Sequence, residues 1–219
     1  MRRLLEVIAC SVDDAVAAEA GGAGRLEVVR RLDAGGLTPD VSLVRDILAA
    51  VSIPVRVMLR ENRGYEVGGE PELENLCAHA VEFAALGVDG VVLGFLRSRA
   101  LDLESAERVL AGAPGVKATF HRAFEELEDP CAAIAALKIS VHFDRILTNG
   151  ESGRLHEYAV LAAPEIAIIA GGGLNADQIR KLIDKTDIRE FHVGRAARHN
   201  HDIGQPVDAA RVNSLARLL

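Results

Sequence analysis

A chain of 219 residues, 49 % hydrophobic, can bury one sizeable core but is short for two α/β domains. Its formal charge of −7 argues against general attraction to nucleic acid or to an anionic membrane surface. Cys10, Cys77 and Cys131 are odd in number and lack CxxC spacing, which argues against a disulfide framework or a structural zinc site and points to a reducing cytoplasm.

In chain order, one pattern repeats. After Arg2-Arg3, the apolar-dominated run at 4–9 is interrupted by Glu6; it is too short for a signal-peptide core and reads as a strand. Comparable runs follow at 25–29, 55–60, 90–94, 116–121, 143–148, 166–170 and 189–193. They are nearly continuous apolar stretches, as expected of parallel strands covered on both faces. None approaches the ~20 apolar residues that span a bilayer.

Helical periodicity fills the gaps. Ser11 is placed to cap a helix through Ala20, which Gly21-Gly22 stops; Pro39-Asp40 opens a second, and Pro71-Glu72 a longer third reaching about Leu86. Asp129-Pro130 opens the fifth, Asn175-Ala176-Asp177 the seventh, and Asp208 a last helix reaching Leu219. Eight strand-plus-helix units without a GxGxxG fingerprint predict a closed, single-domain TIM-type (β/α)8 barrel over residues 1–219, an α/β fold, rather than a doubly wound open sheet.

In that fold the carboxyl ends of the strands carry the chemistry. Side chains two apart on a strand share a face, so Glu6 goes with Ile8 and Cys10, Glu27 with Val29, and Arg60 with Met58. His121 goes with Thr119, Thr148 with Ile146, and His192 with Glu190. Closure should gather Glu190, Glu6 and Glu27 on one side, with Arg60 beside them and His121 facing His192 across the mouth. Such charges bind a cation, pair with arginine, or hold one raised pKa for proton transfer. Glu6, Glu27, Arg60, His121, Arg122, Thr148 and His192 are therefore the candidate mouth residues. His79, His142, His156, His199 and His201 read as surface residues. Lys117 lies at the wrong end of its strand for Schiff-base chemistry.

Gly171-Gly172-Gly173 follows the seventh strand, and Gly194-Arg195 the eighth. These are the loops that form the recurrent anion site of such barrels, with Arg195 and Arg198 supplying charge. The turn Gly35-Gly36-Leu37-Thr38-Pro39 is close enough to the mouth to act as a flap, and 60–65 reads as a polar binding loop.

Several segments together resemble the CutC copper-homeostasis family. They are Gly22-Ala23-Gly24-Arg25-Leu26-Glu27, Gly35-Gly36-Leu37-Thr38-Pro39, Thr119-Phe120-His121-Arg122-Ala123-Phe124-Glu125, Arg145-Ile146-Leu147-Thr148-Asn149-Gly150 and Glu190-Phe191-His192. The resemblance covers about residues 4–219. It implies a TIM-type barrel, a cytoplasmic location, homo-oligomers, and a role in copper trafficking or tolerance with copper as the bound ion. Family members with proposed copper-binding cysteines carry them on the first two strands, where this chain has Ile8 and Val29. Cys10 is then the nearest thiol, and Met58 a thioether that could join it; Cu(I) favours two or more such soft ligands.

Two further readings rest on the residues alone. One is an enzyme acting by acid–base chemistry on a small anionic or phosphorylated metabolite. There Glu6 or Glu27 is the base, His121 the acid, His192 an orienter or second acid, and Arg60 and Arg122 the anion clamps. The other is a divalent ion held by His121, His192 and a carboxylate.

Overall fold

A computed structural model describes residues 3–219; Met1 and Arg2, where the N-terminal reading begins, lie outside the described residues. Eight parallel strands close into a barrel: β1 Leu4–Ala9, β2 Arg25–Val28, β3 Val55–Met58, β4 Gly90–Leu93, β5 Lys117–Phe120, β6 Phe143–Thr148, β7 Ala167–Ala170 and β8 Glu190–Val193. Each strand pairs with the next in sequence, and β8 returns to β1 with His192 opposite Glu6. The outer layer is α1 Val12–Ala20, α2 Val41–Ala50, α3 Glu70–Leu86, α4 Leu103–Leu110, α5 Pro130–Ile139, α6 Ser152–Ala162, α7 Ala176–Lys185 and α8 Ala209–Ala216. A small two-stranded ribbon, Leu96–Arg97 with Ala100–Leu101, follows β4. Among the described residues no helix is long and apolar enough to cross a membrane.

The predicted caps are used. Ser11 accepts the Asp14 N–H at the start of α1, and Asp129 accepts the Ala132 N–H ahead of Pro130. Asn175 and Gln178 form a reciprocal capping box on α7. The last helix stops at Ala216 rather than running to Leu219.

Strand parity divides the buried residues into two sets. Leu5, Val7 and Ala9 join the large apolar layer between strands and helices. Inside the barrel a small apolar cluster, Ile8, Val29, Met58 and Val92, lies with Leu147, which faces the mouth. Below them the lumen is occupied by charged residues. At its amino-terminal end Arg25 bonds Glu6 and, at 2.6 Å, Glu190. Arg145 bonds Glu190 at 2.8 Å and also Asp144. Arg56 holds Asp144 through two bonds of 2.7 and 2.8 Å, Asp89 at 2.9 Å and the Thr119 hydroxyl at 2.8 Å. Every arginine in this plug is matched by carboxylates, which is what makes burying such charge tolerable.

Candidate functional site at the barrel mouth

Above the plug lies an open cavity of about 630 Å³, floored by Glu27, Met58, Leu147 and His192 and walled by Arg60, Tyr65 and His121. Ile8 and Gly194 close one side, Gly172 and Gly173 another, with Arg122 and Arg195 at the rim.

The floor is a three-residue relay. β1 and β8 bring Glu6 opposite His192, and the imidazole Nδ1 lies 2.8 Å from Glu6 Oε1. Burial alone would raise the Glu6 carboxyl, but the adjacent Arg25 guanidinium and the His192 ring outweigh it and hold Glu6 well below the usual carboxylate range. Burial likewise opposes charge on His192, yet Glu27 and Glu6 prevail and raise its pKa. Nδ1–H therefore donates to an ionised Glu6.

Glu27 differs from both. It is 3 % exposed, its Oε2 has no hydrogen-bond partner among the described residues, and His192 Nδ1 is 3.9 Å away. Burial pushes its carboxyl up to about 7; Glu6 adds to the rise, while His192 and Arg25 oppose it. Near neutral pH this group both gives and takes a proton.

His121 ends β5 and caps the short 3-10 turn Arg122–Glu126, its Nδ1 accepting the Ala123 N–H at 3.2 Å. A ring nitrogen that accepts carries no proton, so the neutral ring carries its proton on Nε2. Burial, reinforced by Arg60, pushes the His121 pKa down to about 3. His121 is thus a neutral hydrogen-bond donor at the position that the sequence assigned to a general acid. The ring fits because position 94 is glycine: a Cβ there would lie 2.7 Å from Nδ1. The Tyr65 ring packs edge-on at 5.2 Å between centroids.

Arg60 does not stand beside the carboxylates. Its guanidinium is held by backbone carbonyls: Gly35 at 3.2 Å, Gly36 at 3.5 Å, Gly64 at 3.2 Å, and Arg63. It also lies 4.8 Å above the Tyr65 ring. Thr38 fixes the backbone beneath it, accepting the Arg60 N–H and donating to the Arg60 carbonyl. The segment read as a flap is therefore stitched to β3, with Gly35 on the cavity wall. Carbonyl dipoles satisfy the guanidinium donors without cancelling its charge.

Other expected residues are placed differently. Thr148 leaves the site: it lines a separate hollow with Phe124, Asn149 and Tyr158, while Leu147 faces the mouth. The cause is an irregularity between β5 and β6, where Ala118 pairs with Phe143 but Thr119 with Arg145; one additional residue reverses the parity. Glu190 lies in the plug, bonded to Arg25 and Arg145. Arg122 is clamped by Glu125 through bonds of 2.9 and 2.7 Å, which neutralises it. Arg198 is buried against Asp14, the Ile8 carbonyl and the Gln205 carbonyl, and supplies no charge to the mouth. Arg195 is exposed at the rim.

In the glycine loop Gly172 and Gly173 have φ of 83° and 86° and present bare backbone to the cavity, whereas the Gly171 N–H is spent on the Thr148 carbonyl. Cys10 lies outside the mouth, in a shallow hollow with Asp14 and Arg198, and Arg198 donates to its sulfur at 3.6 Å. Burial pushes its thiol pKa up, which keeps it protonated. Tyr65, the aromatic that positions both Arg60 and His121, had no assigned role in the sequence reading. Its only signal was an aromatic in a polar loop directly after a strand.

The donor atoms of Glu6, Glu27 and His192 lie within 4.8 Å of one another. Glu6 already contacts both the Arg25 guanidinium and His192, and a guanidinium inside the cluster opposes a second cation. His121 is not part of this group, so the expected His121–His192–carboxylate ion site does not form.

The CutC family profile matches residues 3–197. The chain belongs to the CutC family. The mouse protein named copper homeostasis protein cutC homolog is 34 % identical over 92 % of this chain and 76 % of its own length. A CutC family protein of Xylella fastidiosa is 34 % identical over 98 % of this chain and 88 % of its own. The crystal structure of the proposed copper homeostasis protein CutC from Streptococcus agalactiae superposes with a TM-score of 0.81 at 26 % identity, covering 88 % of this chain and 98 % of that one. Family membership supports a role in copper homeostasis by resemblance.

Proposed function

We propose that this CutC-family chain serves copper homeostasis from the barrel mouth, and that the mouth receives a small organic or phosphorylated anion. The observation that carries this reading is Arg60, a buried guanidinium on the cavity wall that is satisfied by backbone carbonyls and forms no ion pair among the described residues. An anion entering the cavity meets that charge in a partly desolvated site, where it counts for more than on an open surface. Arg195 adds rim charge, and the bare backbone of Gly172 and Gly173 permits close approach.

A thiolate copper centre does not fit these residues. Ile8 and Val29 pack with Met58 and Val92, and Cys10 is a single protonated thiol held by Arg198. We extend to the chain the cytoplasmic location and self-association that the resemblance implies. The free cysteines are compatible with the first, and the exposed apolar side chains Ile139, Val141, Val160 and Leu161 support the second.

The test is a thermal-shift and calorimetric titration with inorganic phosphate, beside an anaerobic Cu(I) titration against a competing chelator. Phosphate should stabilise the parent protein, and Arg60→Gln should remove that stabilisation. Tight one-to-one Cu(I) binding that disappears in Cys10→Ser, with no phosphate effect, overturns the reading.

A further inference from the structure

Among the described residues the amino-terminal plug is fully paired, and the hollow around Thr148 and Tyr158 contains no buried unpaired polar side chain. Glu27 is different: a carboxylate buried beyond nine-tenths, with an unbonded oxygen, on the floor of an open cavity. The mouth also contains a neutral imidazole with a defined tautomer and a guanidinium that forms no ion pair among the described residues. A buried charge without a partner is costly, and such groups concentrate where chemistry uses them.

We propose that the mouth catalyses proton transfer at the carbon beside a carbonyl, with Glu27 as base and His121 as donor to the carbonyl oxygen. The substrate class is a small α-hydroxy aldehyde or ketone carrying a phosphate or carboxylate. This rests on the anion-binding reading above and adds a reaction to it.

In the step, a Glu27 oxygen takes the proton from the carbon next to the carbonyl. The C–H electron pair forms a C=C bond, and the carbonyl π pair moves to oxygen, where His121 Nε2–H donates a hydrogen bond. The neighbouring hydroxyl then passes its proton to the former carbonyl oxygen. Glu27 returns its proton to the former carbonyl carbon, where the C=C pair takes it up, and the pair left on the second oxygen forms the new C=O. This interconverts the two isomers. No electrons are gained or lost and no co-reactant is needed. A neutral imidazole is a suitable donor, because the proton it shares is not surrendered to the developing oxyanion. Arg60 and Arg195 anchor the anionic end. His192 is a positioning residue: its charge, fixed by Glu6, faces Glu27 and favours its ionised form.

The groups facing Glu27 are His192 from β8, Glu6 from β1, the protonated Cys10 thiol just beyond β1, and Arg25 from its own strand. With burial they balance the carboxyl near neutrality, so exchange should rise with pH through about 7. His192→Gln removes the facing positive charge and should move that limb to higher pH, which a purely structural His192 would not do.

The experiment is proton NMR in D2O with dihydroxyacetone phosphate and ribulose 5-phosphate as probes, following deuterium wash-in at the carbon beside the carbonyl. Probe affinity is measured in parallel by calorimetry. Parent protein should exchange the proton, and Glu27→Gln should slow exchange by about 10²–10⁴-fold while still binding the probe. If Glu27→Gln does not fold, Glu27→Asp, which keeps the carboxyl but withdraws it, should slow exchange with affinity retained. Probe that binds without wash-in, or a Glu27 variant that exchanges like the parent, overturns the reaction and leaves anion binding standing. Absence of any probe binding overturns both.

Discussion

At the amino-terminal end of the barrel, Arg25, Arg56 and Arg145 each meet carboxylates; at the mouth, Arg60 meets carbonyls and Arg195 meets solvent. The carboxylates divide the same way. Glu6 and Glu190 are saturated with donors, whereas Glu27 keeps an oxygen free. Both regions use the same residue types and are comparably buried, so burial and charge alone do not separate structure from chemistry. Pairing does. A complete network spends its charge on itself, and an incomplete one leaves charge for a ligand.

The sharpest way to break this comparison is in the plug. Arg25→Met leaves Glu6 and Glu190 facing each other without their shared cation. It should cost about 3–5 kcal/mol, read as a lower urea midpoint. A loss below ~1 kcal/mol would show that the plug is not what closes the barrel. Salt should change the loss little, because the pairs are screened from solvent.

The opposite behaviour is expected on the mouth side. Glu27 is raised to about 7 in the folded chain against 4.5 for an ordinary glutamate, so the folded state holds its proton longer. Its contribution is fully present below pH 4.5 and is lost as pH rises through about 7. Parent protein should therefore lose about 2–3 kcal/mol relative to Glu27→Gln between those limits, measured by denaturation across pH. An unchanged difference would mean that Glu27 finds a partner in solution. Paired carboxylates such as Glu6 have the reverse sign, gaining stability as they ionise.

How much of this was legible in the sequence follows from the same distinction. The eight strands, the caps at Ser11, Asp129 and Asn175, and the inward parity of Glu6, Glu27, Arg60, His121 and His192 are local properties, and periodicity with cap chemistry exposes them. Thr148 was assigned to the wrong side because one irregular pairing beside Asp144 reverses the face, and an irregularity of register leaves no mark in an apolar run. The neutrality of His121 depends on its burial and on the nearby Arg60, its tautomer on a single backbone N–H, and the capture of Arg60 by backbone carbonyls depends on two loops meeting. These are facts of tertiary contact. Residue identities located the charged mouth but could not tell the spent charges from the available ones.

Gly94→Ala tests the join between fold and site. The new methyl would meet His121 Nδ1 at 2.7 Å, and overpacking of this kind costs about 1–3 kcal/mol. The ring must shift or give up its bond to Ala123, so imidazole 15N NMR should show a changed tautomer. An unperturbed tautomer would mean that the short turn at Arg122–Glu126, rather than Gly94, sets the ring.

The smallest effect on stability belongs to Arg195, and it separates the two regions most cleanly. Exposed and forming no ion pair among the described residues, it contributes nothing to closing the barrel. Arg195→Ala should leave the urea midpoint within ~0.5 kcal/mol of the parent. If it is rim charge for an incoming anion, phosphate should bind a few-fold more weakly in the variant, and raising ionic strength should shrink that gap, because an exposed charge acts through screened solvent. Arg60→Gln, inside the cavity, should lose more affinity and show less salt dependence. Equal and equally salt-sensitive losses at the two positions would place the anion at the rim and not inside the mouth.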